Sequence, residues 1–426
     1  MKSKTQPFRA GAAKLFFLCF LAYMFSYFGR YNLSTCLDSM VSEGIVTEQF
    51  GALISSAFLI CYGIGQFVNG RLTMRISPKI MIAAGLFGSG ICNILMSFSA
   101  PGLSVPIAVI WGLNGYFNAM LWSPIIRIFS EWMNENERAR AGAHISPSIP
   151  FGMLTCYLIT FLVLKFSEWR NVFLVCGTLL CVGAAIWLVG TFGLRKYIFS
   201  ATESFRLQKE ALTSDAPEKG NALSLAVFIS TGLIVLVFAS FFNGALKDAV
   251  ISWVPQYLID TFGFVPSNAS LVSTLLPLFS IAGPYFAIWM NKKFFDNECA
   301  TVGVLYGISA VCTIGMFLLG KNSPIPAVIL MATSMACMWG VNSMLLTFVP
   351  YHFSASGISS AVTGTLNCII FLGSSTSTYV YRALASGAVW DTTVLVWFGI
   401  GTVSCVSCLV FAKIWKRRRP SGKESV

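Results

Sequence analysis

Apolar residues run through this chain in long blocks, separated by short clusters of charge, glycine and proline. Each block is close to the ~20 residues that a helix needs to cross ~30 Å of hydrocarbon. Read on that basis, the charge-poor stretches predict twelve membrane-spanning helices at 15–37, 50–70, 79–100, 105–126, 143–164, 172–194, 225–258, 269–290, 300–320, 325–351, 358–381 and 389–412. The only long polar interval, Arg195 to Asn221, contains Asp215-Ala216-Pro217-Glu218-Lys219-Gly220 and divides the spans into six and six. The expected fold class is therefore an all-α membrane protein of two pseudo-symmetric six-helix halves. Its expected parts are an N-terminal half (1–194), a central cytoplasmic loop (195–221), a C-terminal half (222–414) and a basic cytoplasmic tail (415–426).

Composition agrees with the pattern. Hydrophobic residues make up 56% of the 426 and charged residues 11%, against roughly 25% charged in soluble domains. The start of the chain, with Lys2, Lys4, Arg9 and Lys14 before an apolar run, resembles a secretory signal. It lacks an Ala-x-Ala-like cleavage site and is followed by many more spans, so it reads as the first helix. The thirteen cysteines lie mostly inside apolar runs beside only two histidines. They read as packing residues, and no metal, cofactor or structural disulfide is expected.

The net charge of +12 would suit nucleic acid, but the distribution of the charges excludes it. Basic residues gather at alternate loops: Lys2 to Lys14; Arg71, Arg75 and Lys79; Arg127, Arg138 and Arg140; Arg195 to Lys219; Lys292 and Lys293; Lys413 to Lys423. The opposite loops hold only Lys165, Arg170, Lys321 and Arg382. By the positive-inside rule both termini are cytoplasmic, in a multi-pass protein of the plasma (cytoplasmic, or cell inner) membrane. The tail Lys416-Arg417-Arg418-Arg419 then serves as a surface for anionic membrane lipid, a partner in its own right.

Arg30, Lys247 and Asp248 fall inside spans. A charge at the bilayer centre costs on the order of 3 kcal/mol, so such residues usually face a polar cavity. Arg30 follows Lys14 by sixteen residues, about 24 Å along a helix that rises about 1.5 Å per residue. Lys247 lies at a similar depth in the seventh span, so the first helix of each half carries one cation. Two cations at equivalent depth favour an anionic ligand, gripped by bidentate contacts from Arg30 and a point charge from Lys247. The competing reading pairs them structurally with Asp248 or Asp38; Asp248, adjacent in sequence, is about 100° round the helix from Lys247. Tyr23, Tyr27, Ser26 and Ser34 share Arg30's helical face, and Asn243 precedes Lys247 by one turn. Asn114, Asn118, Asn342 and Asn367 read as helix-to-helix hydrogen-bonding residues.

Tyr27-Phe28-Gly29-Arg30-Tyr31-Asn32 resembles the first-helix stretch of the organophosphate:phosphate antiporters of the major facilitator superfamily, in which an aromatic pair precedes a phosphate-binding arginine. Leu246-Lys247-Asp248-Ala249-Val250-Ile251-Ser252-Trp253-Val254-Pro255-Gln256-Tyr257-Leu258 is similar to that family's seventh helix, with lysine at the second basic position. Trp122-Ser123-Pro124-Ile125-Ile126-Arg127, Trp132, Glu137-Arg138 and Ser167-Glu168-Trp169-Arg170 extend the resemblance. The chain departs from the pattern at Gln66, where such exchangers often have lysine, and at Ile149, where they have histidine. Met74 stands at the acidic place of the loop signature Gly70-Arg71-Leu72-Thr73-Met74-Arg75, which implies a weakened inner latch.

The resemblance implies a monomeric secondary transporter of a small organic or phosphate-containing anion, working by alternating access and exchanging it for inorganic phosphate. Its expected substrate residues are Arg30, Lys247, Tyr27, Tyr23, Asn243 and Gln66. Two alternatives stay open: a proton-coupled symporter using Asp248, and a transport-like sensor that signals through a partner. No nucleophile-base pair, metal cluster or phosphate-binding glycine loop suggests an enzyme.

Overall fold

The computed structural model describes residues 9–213, 225–264, 279–320, 323–385 and 390–420; within these, the side chains of residues 38, 48, 52, 208–213, 225–227, 248–256 and 378–385 lie outside the description. The described chain is helical. In order it forms α1 (Ala10–Ser26), α2 (Phe28–Ser42), α3 (Glu48–Leu72), α4 (Pro78–Met96), α5 (Ser104–Asn118), α6 (Trp122–Trp132), α7 (Glu135–His144), α8 (Ser148–Phe166) and α9 (Trp169–Gly193). It continues as α10 (Arg195–Thr213), α11 (Leu225–Thr231), α12 (Leu233–Phe262), α13 (Ala282–Met290), α14 (Glu298–Leu319), α15 (Pro324–Ser343), α16 (Ser359–Ala385) and α17 (Trp390–Arg418). Eight helical stretches among the described residues are long and apolar enough to cross a membrane, which makes the chain the all-α membrane protein that its hydropathy predicts.

Where the helices depart from the expected spans, the cause is local. The first span breaks at Tyr27, where the amide of Arg30 reaches back only three residues to the Tyr27 carbonyl (3.2 Å). The fourth span divides into α5 and α6 around the turn at Ala119–Leu121. The seventh divides at Gly232, whose φ of 77° is left-handed and which no β-carbon obstructs. Residues 269–278 of the eighth expected span lie outside the described residues. Helix starts follow capping chemistry: the Thr47 hydroxyl accepts the Phe50 amide, and Asn134 and Glu137 form a reciprocal capping box.

The chain packs as two units, residues 1–222 with 353–368 and residues 223–352 with 369–426. In each, small residues let backbones approach closely, as expected where lipid provides no hydrophobic drive between helices. In the first unit, a β-carbon at Gly90 of α4 would stand 2.9 Å from the Gly177 carbonyl of α9. One at Gly152 of α8 would stand 2.7 Å from the Met24 carbonyl, beside the break in the first span. In the second unit, Gly244 of α12 lies against the Ile370 carbonyl, Gly373 of α16 against that of Phe241, and Gly283 of α13 against that of Ala336.

Polar ties fasten the helix ends, and several fall on the family-like motifs. Glu137 accepts two hydrogen bonds from the Arg9 guanidinium, both 2.8 Å. Glu43 accepts from Trp169 Nε1 and Arg170 Nη1, both 2.8 Å, joining the end of α2 to the start of α9. Arg127 of α6 donates to the carbonyls of Thr73 and Ile76 at the end of α3 and pairs with Glu131 at 2.9 Å. A cation on the last carbonyls of a helix is favoured by the helix dipole. With methionine at position 74, Arg127 thus holds the end of α3 through backbone oxygens.

Candidate functional site

Arg30 lies in the first turn of α2, just past the break at Tyr27. Four rings surround its guanidinium: Tyr62 at 4.8 Å from carbon to ring centroid, Tyr27 and Tyr31 at 5.7 Å, and Phe58 at 5.8 Å. Tyr31 comes from Arg30's own helix, Tyr27 from the break before it, and two come from α3. Phe58 and Tyr62 are one turn apart and stack on each other at 6.0 Å, so α3 offers the cation a continuous aromatic face. Tyr23 extends the wall from α1, edge-on to Tyr27 at 5.6 Å and 4.7 Å from Trp122. Ring faces attract a guanidinium by about 0.5–2 kcal/mol each, more as water is excluded.

Gln66 follows Tyr62 by one turn on α3 and is 0% exposed. Neither atom of its amide has a hydrogen-bond partner among the described residues. A buried amide left in this way costs about 1–3 kcal/mol, so the position is one at which a bound polar group would gain.

Behind Arg30, a buried amide network fixes the helix. Asn114 Nδ2 donates to the Gly29 carbonyl at 2.6 Å. Its Oδ1 accepts from Ser89 at 2.6 Å and from Asn118 at 3.1 Å. Asn32 donates to Asn93 at 2.8 Å, and Asn93 to the Ser89 carbonyl at 2.9 Å. The reading of Asn114 and Asn118 as helix-to-helix bonding residues holds. What the sequence did not reveal is that their shared target adjoins Arg30. Gly29 meets the network directly, since a β-carbon there would stand 2.7 Å from both Ser89 Oγ and Asn93 Nδ2.

In the second unit, Lys247 is 8% exposed, with Nζ 4.9 Å from the Trp339 ring of α15. Asn243, one turn earlier, donates to Asn342 at 3.3 Å. The Tyr306 hydroxyl of α14 donates to the Ala239 carbonyl of α12 at 2.6 Å. The Asp248 side chain and those of the family-like stretch to Gln256 lie outside the described residues.

The sequence spacing pairs Tyr23 and Tyr27 with Arg30 and Asn243 with Lys247; Tyr27 lies against the guanidinium, Tyr23 against Tyr27, and Asn243 reaches Asn342. It missed Tyr31, Phe58, Tyr62 and Trp339. The three-to-four-residue spacing of Phe58, Tyr62 and Gln66 was the available signal for α3; Trp339 left no mark in the sequence that links it to Lys247.

Comparison with known proteins extends this picture. The profile of the Major Facilitator Superfamily matches residues 19–375. A probable hexose phosphate transport protein of Chlamydia trachomatis is 26% identical over 323 residues, covering 71% of this chain and 69% of its own. The glycerol-3-phosphate transporter of Bacillus subtilis is 26% identical over 310 residues, 69% of this chain and 68% of that one. The membrane sensor protein UhpC of Salmonella typhimurium is 23% identical over 369 residues, 84% and 81% of the two chains. Among solved structures, the proton:xylose symporter XylE superposes with a TM-score of 0.74 at 12% identity, over 95% of this chain and 96% of that one; at that identity the likeness speaks for the fold. With apolar helices, cations placed within them and a profile match over most of its length, the chain belongs to the major facilitator superfamily of membrane transporters.

Proposed function

We propose that this protein carries a small phosphate-containing or related organic anion across the plasma membrane by alternating access, in exchange for inorganic phosphate, as a monomer with both termini cytoplasmic. The observation that carries the reading is the Arg30 guanidinium, held in a membrane helix against four aromatic rings. A membrane-embedded cation of this kind marks a substrate path, and an oxyanion is the ligand that matches its forked donors. Lys247 supplies a second cation for the anion, and Tyr23, Tyr27, Asn243 and Gln66 supply polar contacts. Relatives named as hexose phosphate and glycerol-3-phosphate transporters support a phosphorylated substrate.

Alternating access requires the anion to bind the closed form more tightly than the open one. A ligand of charge opposite to Arg30 and Lys247 is what the reading asks to make that difference, in exchange rather than one-way transport. A second reading, a ligand sensor, rests on the alignment with UhpC over 84% of this chain.

The test is uptake of labelled phosphate by proteoliposomes preloaded with phosphate, with competing sugar phosphates, carboxylates and phosphonates. Exchange that disappears in Arg30→Ala and Lys247→Ala supports the reading, and competition ranks substrates. Folded protein that binds a sugar phosphate without moving it favours the sensor. Uptake driven by a pH gradient and lost in Asp248→Asn favours proton coupling.

A further inference from the structure

Lys292 and Lys293 are absorbed by no part of the transport reading. They sit on a π-helical turn, Asn291–Phe295, that ends α13. The turn is closed by Asp296 in the left-handed region (φ 43°) and is held firmly. Asn291 Oδ1 accepts from the Asn297 amide at 3.0 Å and from the Thr301 hydroxyl at 2.8 Å. Asn297 Nδ2 donates to the Ala412 carbonyl of α17 at 2.8 Å, and Lys416 Nζ to the Phe295 carbonyl at 3.4 Å. The basic end of α17 is thereby pinned beside the turn, all within the second unit.

Next to these lysines stands an exposed aromatic stack. Phe286 and Trp289 stack at 5.7 Å, and Phe294 meets Trp289 edge-on at 5.3 Å. They are 40%, 49% and 59% exposed respectively. Lys293 Nζ lies over both the indole (5.1 Å) and the Phe294 ring (5.3 Å). The acids nearby are already engaged. Asp296 faces Arg419 at 3.7 Å, and Glu298 is shared among His352, Trp415 and Arg419 at 2.7–3.0 Å. The patch around Lys292, Lys293 and Lys416 therefore keeps its positive charge.

We propose that this patch is a binding site for an anionic phospholipid. An interfacial aromatic belt and a basic cluster are each ordinary where a helix leaves the bilayer. Here they share one ammonium, and a single diacyl phosphate satisfies both halves. Its headgroup oxygens take Lys293 and Lys416, and its acyl chains lie along Phe286 and Trp289. A water-soluble phosphate ester would use the lysines but leave the exposed aromatic face uncovered. Complementing the dipole at the end of α13 explains basic residues there, but not the exposed rings on which Lys293 rests.

The full-length protein, purified in mild detergent, is titrated with phosphatidylglycerol and separately with phosphatidylcholine, and bound lipid is counted by native mass spectrometry. Lys293→Gln weakens phosphatidylglycerol binding by about fivefold, as expected for one basic residue at an anionic surface, Trp289→Leu also weakens it, and both leave phosphatidylcholine unchanged. Lys165→Gln, in the last turn of α8, has no effect. Both test positions are exposed, so folding is preserved and is verified by unchanged thermal unfolding. Wild-type phosphatidylglycerol affinity in both variants, or displacement of the lipid by equimolar glycerol phosphate, overturns the proposal.

Discussion

The two units hold their membrane cations in different ways. In the first, a guanidinium sits among four rings drawn from two segments, and the backbone next to it is held by a buried amide network. In the second, an ammonium lies 4.9 Å from the Trp339 ring, and the neighbouring Asn243 donates to Asn342 at 3.3 Å. The contrast follows from the cations themselves. Guanidinium is planar and weakly hydrated, so aromatic faces and a fixed orientation suit it; ammonium is a compact, strongly hydrated charge on a flexible stem that needs less orientation. On the proposed reading, the first unit aims a fork and the second supplies a charge.

The largest expected effect is at the fork. Arg30→Ala and Arg30→Lys both weaken anion exchange by about 30-fold or more, the scale for losing a desolvated charged partner. Lys247→Arg retains most activity, because charge alone is asked of it. Initial rates against substrate concentration measure this, and equal tolerance of Lys at 30 and Arg at 247 would break the comparison.

Next comes the support behind the fork. Asn114→Leu removes the donor to Gly29 and the acceptor of the Ser89 hydroxyl, costing about 1–3 kcal/mol in thermal stability. Anion affinity falls with it. Asn342→Leu loses one 3.3 Å bond and costs no more than about 1 kcal/mol. Parallel unfolding curves in detergent, with substrate KM, decide whether the asymmetry is real.

Smaller still is the cage. Tyr62→Leu lowers substrate affinity by about 3- to 10-fold while Tyr62→Phe stays near wild type, because it is the ring face that contacts the guanidinium. A large loss in Tyr62→Phe would instead assign the work to the hydroxyl.

The smallest effect lies at a helix end of the first unit. Hydrogen bonds from Arg170 and Trp169 hold the Glu43 carboxyl below its ordinary range. A depressed carboxylate stabilises the fold above its unfolded pKa, and that contribution is lost as pH falls through the lower folded value. The stability difference between wild type and Glu43→Gln should therefore be constant near neutrality and shrink below about pH 4. Thermal unfolding across that range checks it, and a difference that grows with acidity would remove the ion pair from the account.

Some of the candidate site was legible before any coordinates. Arg30 and Lys247 announce themselves because charge in an apolar block is costly, and Tyr27 and Asn243 follow because residues one turn apart share a helix face. Phe58, Tyr62 and Trp339 were not legible as neighbours of the cations, since which faces of separate helices meet depends on packing. Motif residues also changed meaning: Glu137, Trp169, Arg170 and Arg127 proved to be ties between helix ends.

By itself the sequence determined that this protein lives in a membrane as a set of helices, with two cations and one acid inside that require a reason. Hydropathy and intrahelical hydrogen bonding act within single segments, so a linear pattern suffices to specify them. Only the tertiary structure decided that α3 would line Arg30 with rings, that Asn114 would take the Gly29 carbonyl, and that α17 would bring Lys416 to the turn carrying Lys293. Those contacts depend on interhelical distances set jointly by many small residues, Gly152 and Gly29 among them, whose effect emerges only when the helices close upon one another.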